Sequence, residues 1–183
     1  MMSEIVVLSG SPSESSRSES VLKFIGSLLI EEGFSVTHIS IRDLSKDVLF
    51  NGEFNSPTVK DVTKLIQEAE GVIVGSPVYK SSYSGMLKTL LDILPQDVLE
   101  DTPVLPLMTG GSSSHLLALE YALKPLLASL KGLNLKGVYL EDFQIDKTKI
   151  NNPIIHTKAL ERLTKQVAYF TKIINSKQTN ILL

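Results

Sequence analysis

Short apolar runs bounded by turn residues alternate along this chain with stretches whose apolar positions recur every three or four residues. Ile5-Val6-Val7-Leu8 stops at Ser9-Gly10-Ser11-Pro12 and predicts a strand over 4–9. Val21, Phe24, Ile25, Leu28 and Leu29 fall on one face of a helix over 17–32, with Gly33 at its C-terminal end. Residues 35–40 alternate, as an edge strand does. After a turn-rich segment over 41–57, the pattern predicts a helix at about 58–69, a fully apolar strand at 71–75 and a helix at about 84–94 ending at Pro95. A strand at 103–108, a helix at about 114–131, a strand near 135–140 and a last helix over roughly 157–175 complete the series.

Strict β/α alternation implies a parallel sheet with helices on both faces. Five strands in 183 residues fit a flavodoxin-like, doubly wound five-stranded sheet of order 2-1-3-4-5. The expected organisation is one domain over 1–176, with residues 177–183 as a frayed tail. In such a fold a ligand sits at the carboxyl ends of strands one and three, where the strand order reverses. The loops after strands one, three and four therefore carry the functional question. The connection over 141–155 is also long enough to be functional or to touch a partner.

The first loop holds Ser11, Ser13, Ser15, Ser16, Arg17 and Ser18 ahead of the first helix. Helix N-terminal N–H groups, hydroxyls and a guanidinium together suit a phosphate. Neither G-x-x-x-x-G-K-[ST] nor G-x-G-x-x-G is present, which leaves a single terminal phosphate, as in a mononucleotide. From this segment alone an ordinary serine-rich N-cap reads equally well. The loop after strand three, Ser76 to Gly85, has two tyrosines, a stiffening proline and no acid. It suits a platform for a flat ring, or two tyrosines that cap the sheet. The loop after strand four begins Thr109-Gly110-Gly111, and adjacent glycines let backbone approach a ligand, although taken alone the loop reads as a flexible lead into a helix. His115 reads as a first-turn helix residue rather than a general base, because no acidic partner is identifiable. Phosphate, flat ring and polar ring edge, presented at one switch point, describe FMN.

Composition narrows the classes. A net charge of −2 offers no field for nucleic acid or an anionic membrane. No apolar run reaches the roughly 18 residues of a spanning helix, and no secretory leader is legible. Absence of cysteine excludes disulfides, thiolate metal sites and cysteine nucleophiles, and fits a cytoplasmic protein. The histidines at 38, 115 and 156 have no metal-ligand spacing, so no metal is expected.

The strings GSPSESSRS, GSPVYKSSYSGMLKTLLDILP and LPLMTGGSSSHLLALEYALKPLLASL resemble the NADPH-dependent FMN reductases, most of all the flavin reductases of two-component alkanesulfonate monooxygenase systems. The resemblance covers about residues 4–140. It implies a phosphate loop at Ser11, Ser16, Arg17 and Ser18, and an isoalloxazine loop at Pro77, Val78, Tyr79, Lys80 and, peripherally, Ser82. It implies a ring-edge contact at Thr109, Gly110 and Gly111. Ser13 stands where relatives often carry an arginine, leaving Arg17 as the loop's one cation. Tyr121 matches a one-residue insertion that produces a π-bulge, a feature that tends to mark functional sites. Pro125 independently predicts a disturbed helix, since it removes one N–H and crowds the carbonyl four residues back.

The resemblance implies hydride transfer from NADPH to FMN, with no side chain strictly essential and Tyr121 modulating. Reduced flavin would pass to a partner monooxygenase in sulfonate sulfur acquisition, from a homodimer or homotetramer. An FMN-bound quinone or azo-dye reductase is an alternative with the same fold and cofactors. A flavodoxin-type electron carrier is another, although such carriers are usually strongly acidic.

Overall fold

The computed structural model describes residues 4–181, with side chains through Lys177. Six parallel strands form one sheet: β1 (Glu4–Ser9), β2 (Ser35–Ser40), β3 (Gly71–Pro77), β4 (Pro103–Gly110), β5 (Leu133–Asn134) and β6 (Val138–Glu141). The order is β2-β1-β3-β4-β5, with β6 also on β4. β2 lies at an edge, in keeping with its alternating sequence.

The helices are α1 (Arg17–Glu31), α2 (Lys46–Asn51), α3 (Pro57–Glu68), α4 (Gly85–Ile93), α5 (Leu116–Ala118), α6 (Lys124–Ser129) and α7 (Thr157–Ile181). Side chains alternate across each strand, so β1 sends Ile5 and Val7 to one face and Val6 and Leu8 to the other. The first face packs against Val21, Leu22 and Ile25 of α1 and Leu163, Val167 and Phe170 of α7. The second packs against Val59 and Ile66 of α3, Leu87 and Leu90 of α4, and Leu123 and Leu127. Each such burial contributes roughly 1.5–3 kcal/mol.

Four elements differ from the sequence pattern. α2 occupies part of the expected turn segment. Ser45 caps its start and Gly52, at φ +65°, ends it in the left-handed region. Pro57 is the first residue of α3 rather than its predecessor. The last helix runs on to Ile181, while Leu182 and Leu183 lie outside the described residues. The expected strand near 135–140 is two short pieces. Pro106 of β4 faces the interval between them, with Val104 paired to Asn134 and Leu107 to Val138. Proline has no N–H for a ladder on that side, so pairing lapses there.

The helix predicted over 114–131 is also irregular. It begins as a 3₁₀ turn at Ser113–His115, continues through α5 and widens into a π turn at Leu119–Leu123 before α6. The Lys124 N–H donates to the Leu119 carbonyl, five residues back. Tyr121 is the central residue of that turn and is 78% exposed. Pro125 follows that turn, and in a regular helix its ring would crowd the Tyr121 carbonyl.

Candidate functional site

The carboxyl ends of β1, β3 and β4 meet at a cleft of about 250 Å³. Its walls include Ser16 and Arg17 from the start of α1, Pro77, Val78 and Tyr79 after β3, and Thr109, Gly110 and Gly111 after β4. Eight of the residues carried over from the resemblance thus share one cavity. Larger hollows of 590 and 750 Å³ lie elsewhere and contain none of them.

Loop one is organised by its own serines. Ser16 caps α1, its Oγ accepting from the Glu19 N–H at 3.1 Å. Ser11 is buried beneath the loop, where its Oγ donates to the Ser13 carbonyl at 2.9 Å and accepts from the Ser13 N–H at 3.2 Å. Ser18 is buried too, with its hydroxyl 3.2 Å from that of Ser16. Neither Ser11 nor Ser18 reaches the cleft, and Ser13 and Ser15 line it instead. Short hydroxyls that turn inward to hold a turn are unavailable to a ligand.

The loop after β3 is stitched to its neighbours. The Val78 N–H donates to the Thr109 carbonyl at 2.7 Å, and the Gly10 N–H to the Gly75 carbonyl at 2.7 Å. The Ser84 hydroxyl donates to the Gly10 carbonyl, and its N–H donates to the Ser76 hydroxyl at 2.9 Å. A Cβ on Gly10 would lie 2.7 Å from the Leu87 Cβ, so only glycine permits this approach. Tyr79 and Ser82 exchange backbone hydrogen bonds of 2.8 and 3.1 Å around a two-residue turn. Lys80 at φ +49° and Ser81 at φ +63° are both left-handed there, a costly conformation for non-glycine residues. Lys80 and Ser82 belong to this turn and do not line the cleft.

The two adjacent glycines play different parts. A Cβ on Gly110 would lie 2.8 Å from the Tyr139 Oη, 3.1 Å from the His115 Nδ1 and 3.3 Å from the Val78 Cβ. Gly110 therefore makes room for the protein's own side chains. Tyr139 donates its hydroxyl to the Ser112 carbonyl at 2.5 Å, and burial raises its pKa from the ordinary value. The His115 Nδ1 is buried under this loop without a hydrogen-bond partner among the described residues. A Cβ on Gly111, by contrast, would meet only the Asp142 Oδ2, at 3.7 Å. Gly111 leaves space on the cleft side that the protein itself does not fill.

Asp142 and Lys147 also line the cleft, both from the long connection after β6. The Arg17 Nε donates to the Asp142 carbonyl at 3.1 Å, and its Nη1 lies 3.8 Å from the Asp142 Oδ2. Lys147 adds a second cation to the one that loop one supplies. The length of the 141–155 connection was the signal available in the sequence; its course to the cleft depends on tertiary packing.

These residues fit a flavin mononucleotide. Hydroxyls and the side chains of Arg17 and Lys147 share the cleft with the Pro77–Tyr79 segment and the backbone of Gly110 and Gly111. The volume falls just below the roughly 300–1,000 Å³ of ordinary ligand pockets, so such a ligand would lie partly in solvent.

The family model of NADPH-dependent FMN reductase matches residues 3–144. The chain is 44% identical over 142 residues to "FMN reductase (NADPH)" of Escherichia coli (strain K12), covering 77% of this chain and 74% of that protein. It is 42% identical over 158 residues to "FMN reductase (NADPH)" of Pseudomonas putida KT2440, covering 86% and 80%. A solved structure described as NADH:FMN oxidoreductase (EMOB), apo form, superposes with a TM-score of 0.81 at 31% identity, covering 92% of this chain and 88% of that one. A family match across most of the chain, on a fold whose cleft suits the cofactor, places the protein in the NADPH-dependent FMN reductase family, as an oxidoreductase of FMN and NADPH.

Proposed function

We propose that the cleft at the ends of β1, β3 and β4 holds FMN while NADPH reduces it, and that reduced flavin then leaves for a partner monooxygenase. The reading extends to sulfonate sulfur acquisition as the setting. The observation that carries it is the joining, in one cavity, of the Ser16–Arg17 helix start to the Pro77–Tyr79 platform and the Gly111 gap.

Each part has a defined task. Arg17 and the serines of loop one would hold the phosphate, with the N-terminal dipole of α1 adding to the attraction. Pro77, Val78 and Tyr79 would flank the flat ring. The backbone of Gly110 and Gly111 would face its polar edge, where fixed N–H groups favour developing negative charge. When bound, the flavin supplies the hydride-accepting centre, so the chain positions reactants and needs no acid–base pair. Among the described residues no helix is long and apolar enough to cross a membrane. Leu116, Leu117 and Tyr121 are exposed and offer a face for a second copy, which suits a homodimer or homotetramer.

The test is steady-state oxidation of NADPH, and separately of NADH, with FMN varied. The expected result is saturable dependence on added FMN and little flavin retained on purification. Tightly retained flavin, with quinone or azo-dye reduction independent of added FMN, would replace this reading with the bound-flavin reductase. Absence of NADPH oxidation at any FMN concentration would favour an electron carrier.

A further inference from the structure

The cleft that suits an anionic ligand contains an anion of its own. The Asp142 carboxylate lies 3.8 Å from the Arg17 guanidinium and within 3.7 Å of where a Gly111 Cβ would stand. Among the described residues Arg17 is its one ion-pair partner. The guanidinium is held separately by the Asp142 backbone carbonyl, which also accepts the Ile145 N–H at 3.2 Å. Asp142 thus meets Arg17 twice, at 3.1 Å through its carbonyl and at 3.8 Å through its carboxylate. The longer contact carries the opposite charge, and it reduces the positive potential that a phosphate would feel.

We propose that Asp142 is a release-tuning residue, whose carboxylate competes with the flavin phosphate for Arg17. The proposal rests on the reading of this cleft as the FMN site. In the free protein the Asp142 carboxylate partly offsets the charge of Arg17 from 3.8 Å. A bound phosphate dianion must displace that pairing and then sit near a like charge. Both effects weaken binding and speed departure, as suits a flavin that is handed on. Both also need the phosphate, so they separate FMN from riboflavin, which has the same ring and no phosphate.

The experiment titrates FMN and riboflavin by fluorescence quenching into the parent protein, Asp142→Asn and Arg17→Ala. Asparagine keeps the backbone carbonyl and the side-chain shape and removes the charge. The expected result is FMN affinity tightened about three- to tenfold in Asp142→Asn, the size of a half-exposed charge effect. Stopped-flow FMN dissociation should slow correspondingly, and riboflavin affinity should stay unchanged. Arg17→Ala should weaken FMN alone. Unchanged or weaker FMN binding in Asp142→Asn, with Arg17→Ala still weakening it, would overturn the tuning role and leave the phosphate site standing. An equal change for both flavins would place the action of Asp142 at the ring and also overturn the proposal. FMN affinity indifferent to Arg17→Ala would refute the phosphate site itself.

Discussion

The two parts of the cleft are built by different means. Around Pro77–Tyr79 and Thr109–Gly111 the shape is set by backbone and buried hydroxyls: the Val78-to-Thr109 hydrogen bond, the Ser76–Ser84–Gly10 linkage and a tight left-handed turn. Around Arg17 it is set by exposed side chains, a guanidinium shared between a carbonyl and a carboxylate. Backbone-built surfaces resist single substitutions unless a Cβ is added where none fits. Charge-built surfaces change with any one residue. If the cleft holds FMN as proposed, a site made this way can keep the ring's surroundings constant while phosphate affinity is adjusted.

The largest effects should come from the glycine pair, and they should differ in kind. Gly110→Ala drives a methyl toward the Tyr139 Oη, the His115 Nδ1 and the Val78 Cβ. Overpacking of this sort costs about 1–3 kcal/mol, so the urea midpoint should fall and flavin binding should fall with it. Gly111→Ala meets ordinary contact only. Its stability should stay within about 0.5 kcal/mol of the parent, while FMN binding weakens by about tenfold, or about 1.4 kcal/mol. Equal destabilisation by both variants would erase the distinction between a glycine for packing and a glycine for ligand.

At the charged part, the proposed phosphate contact of Arg17 would be worth about 1.5–3 kcal/mol, which Arg17→Ala would remove. FMN affinity should fall by one to two orders of magnitude with the thermal midpoint nearly unchanged, since the side chain is half exposed. A loss of stability as large as the loss of affinity would mean that Arg17 fastens α1 to the 141–155 connection rather than serving a ligand.

The same contrast explains what the sequence could and could not reveal. Strands, helices and switch point follow from period and punctuation, which are local. The break between β5 and β6 was legible in principle, because Pro106 lies in a strand that must pair on both sides. The start and end signals of α2, Ser45 and Gly52, were equally present but short. Pro77, Val78 and Tyr79 line the cleft, as strand order and loop position predict. Ser11 and Ser18 do not line the cleft because their hydroxyls bond within loop one, and Lys80 and Ser82 do not because they belong to the tight turn beside it; motif membership fixes neither. The place of Asp142 at the cleft was not legible, because its contact with Arg17 joins residues 125 positions apart in the chain.

Tyr121 tests whether irregular backbone is a device or a by-product of Pro125. Deleting it should restore regular i→i−4 bonding ahead of α6 and remove the exposed ring from the π turn. The variant is expected to purify with more bound FMN than the parent, read as flavin absorbance per protein. It should also deliver reduced flavin more slowly in a coupled assay. A deletion variant that uses free FMN at the parent rate would leave the turn to Pro125 alone.

The smallest expected effect lies in the turn beside the platform. Lys80 and Ser81 are held left-handed by the paired backbone hydrogen bonds of Tyr79 and Ser82. An L-residue there costs roughly 1–2 kcal/mol, of which glycine recovers part and returns some as unfolded-chain entropy. Ser81→Gly should therefore raise stability by up to about 1 kcal/mol, read as a higher urea midpoint with an unchanged slope. If the strain serves to stiffen Tyr79 against the ring, FMN and riboflavin affinities should fall together, because the ring is common to both. A stabilised variant with both affinities intact would show that the turn carries strain without using it. Loss of FMN affinity alone would place the turn's influence at the phosphate, and would dissolve the division between a backbone-built and a charge-built part.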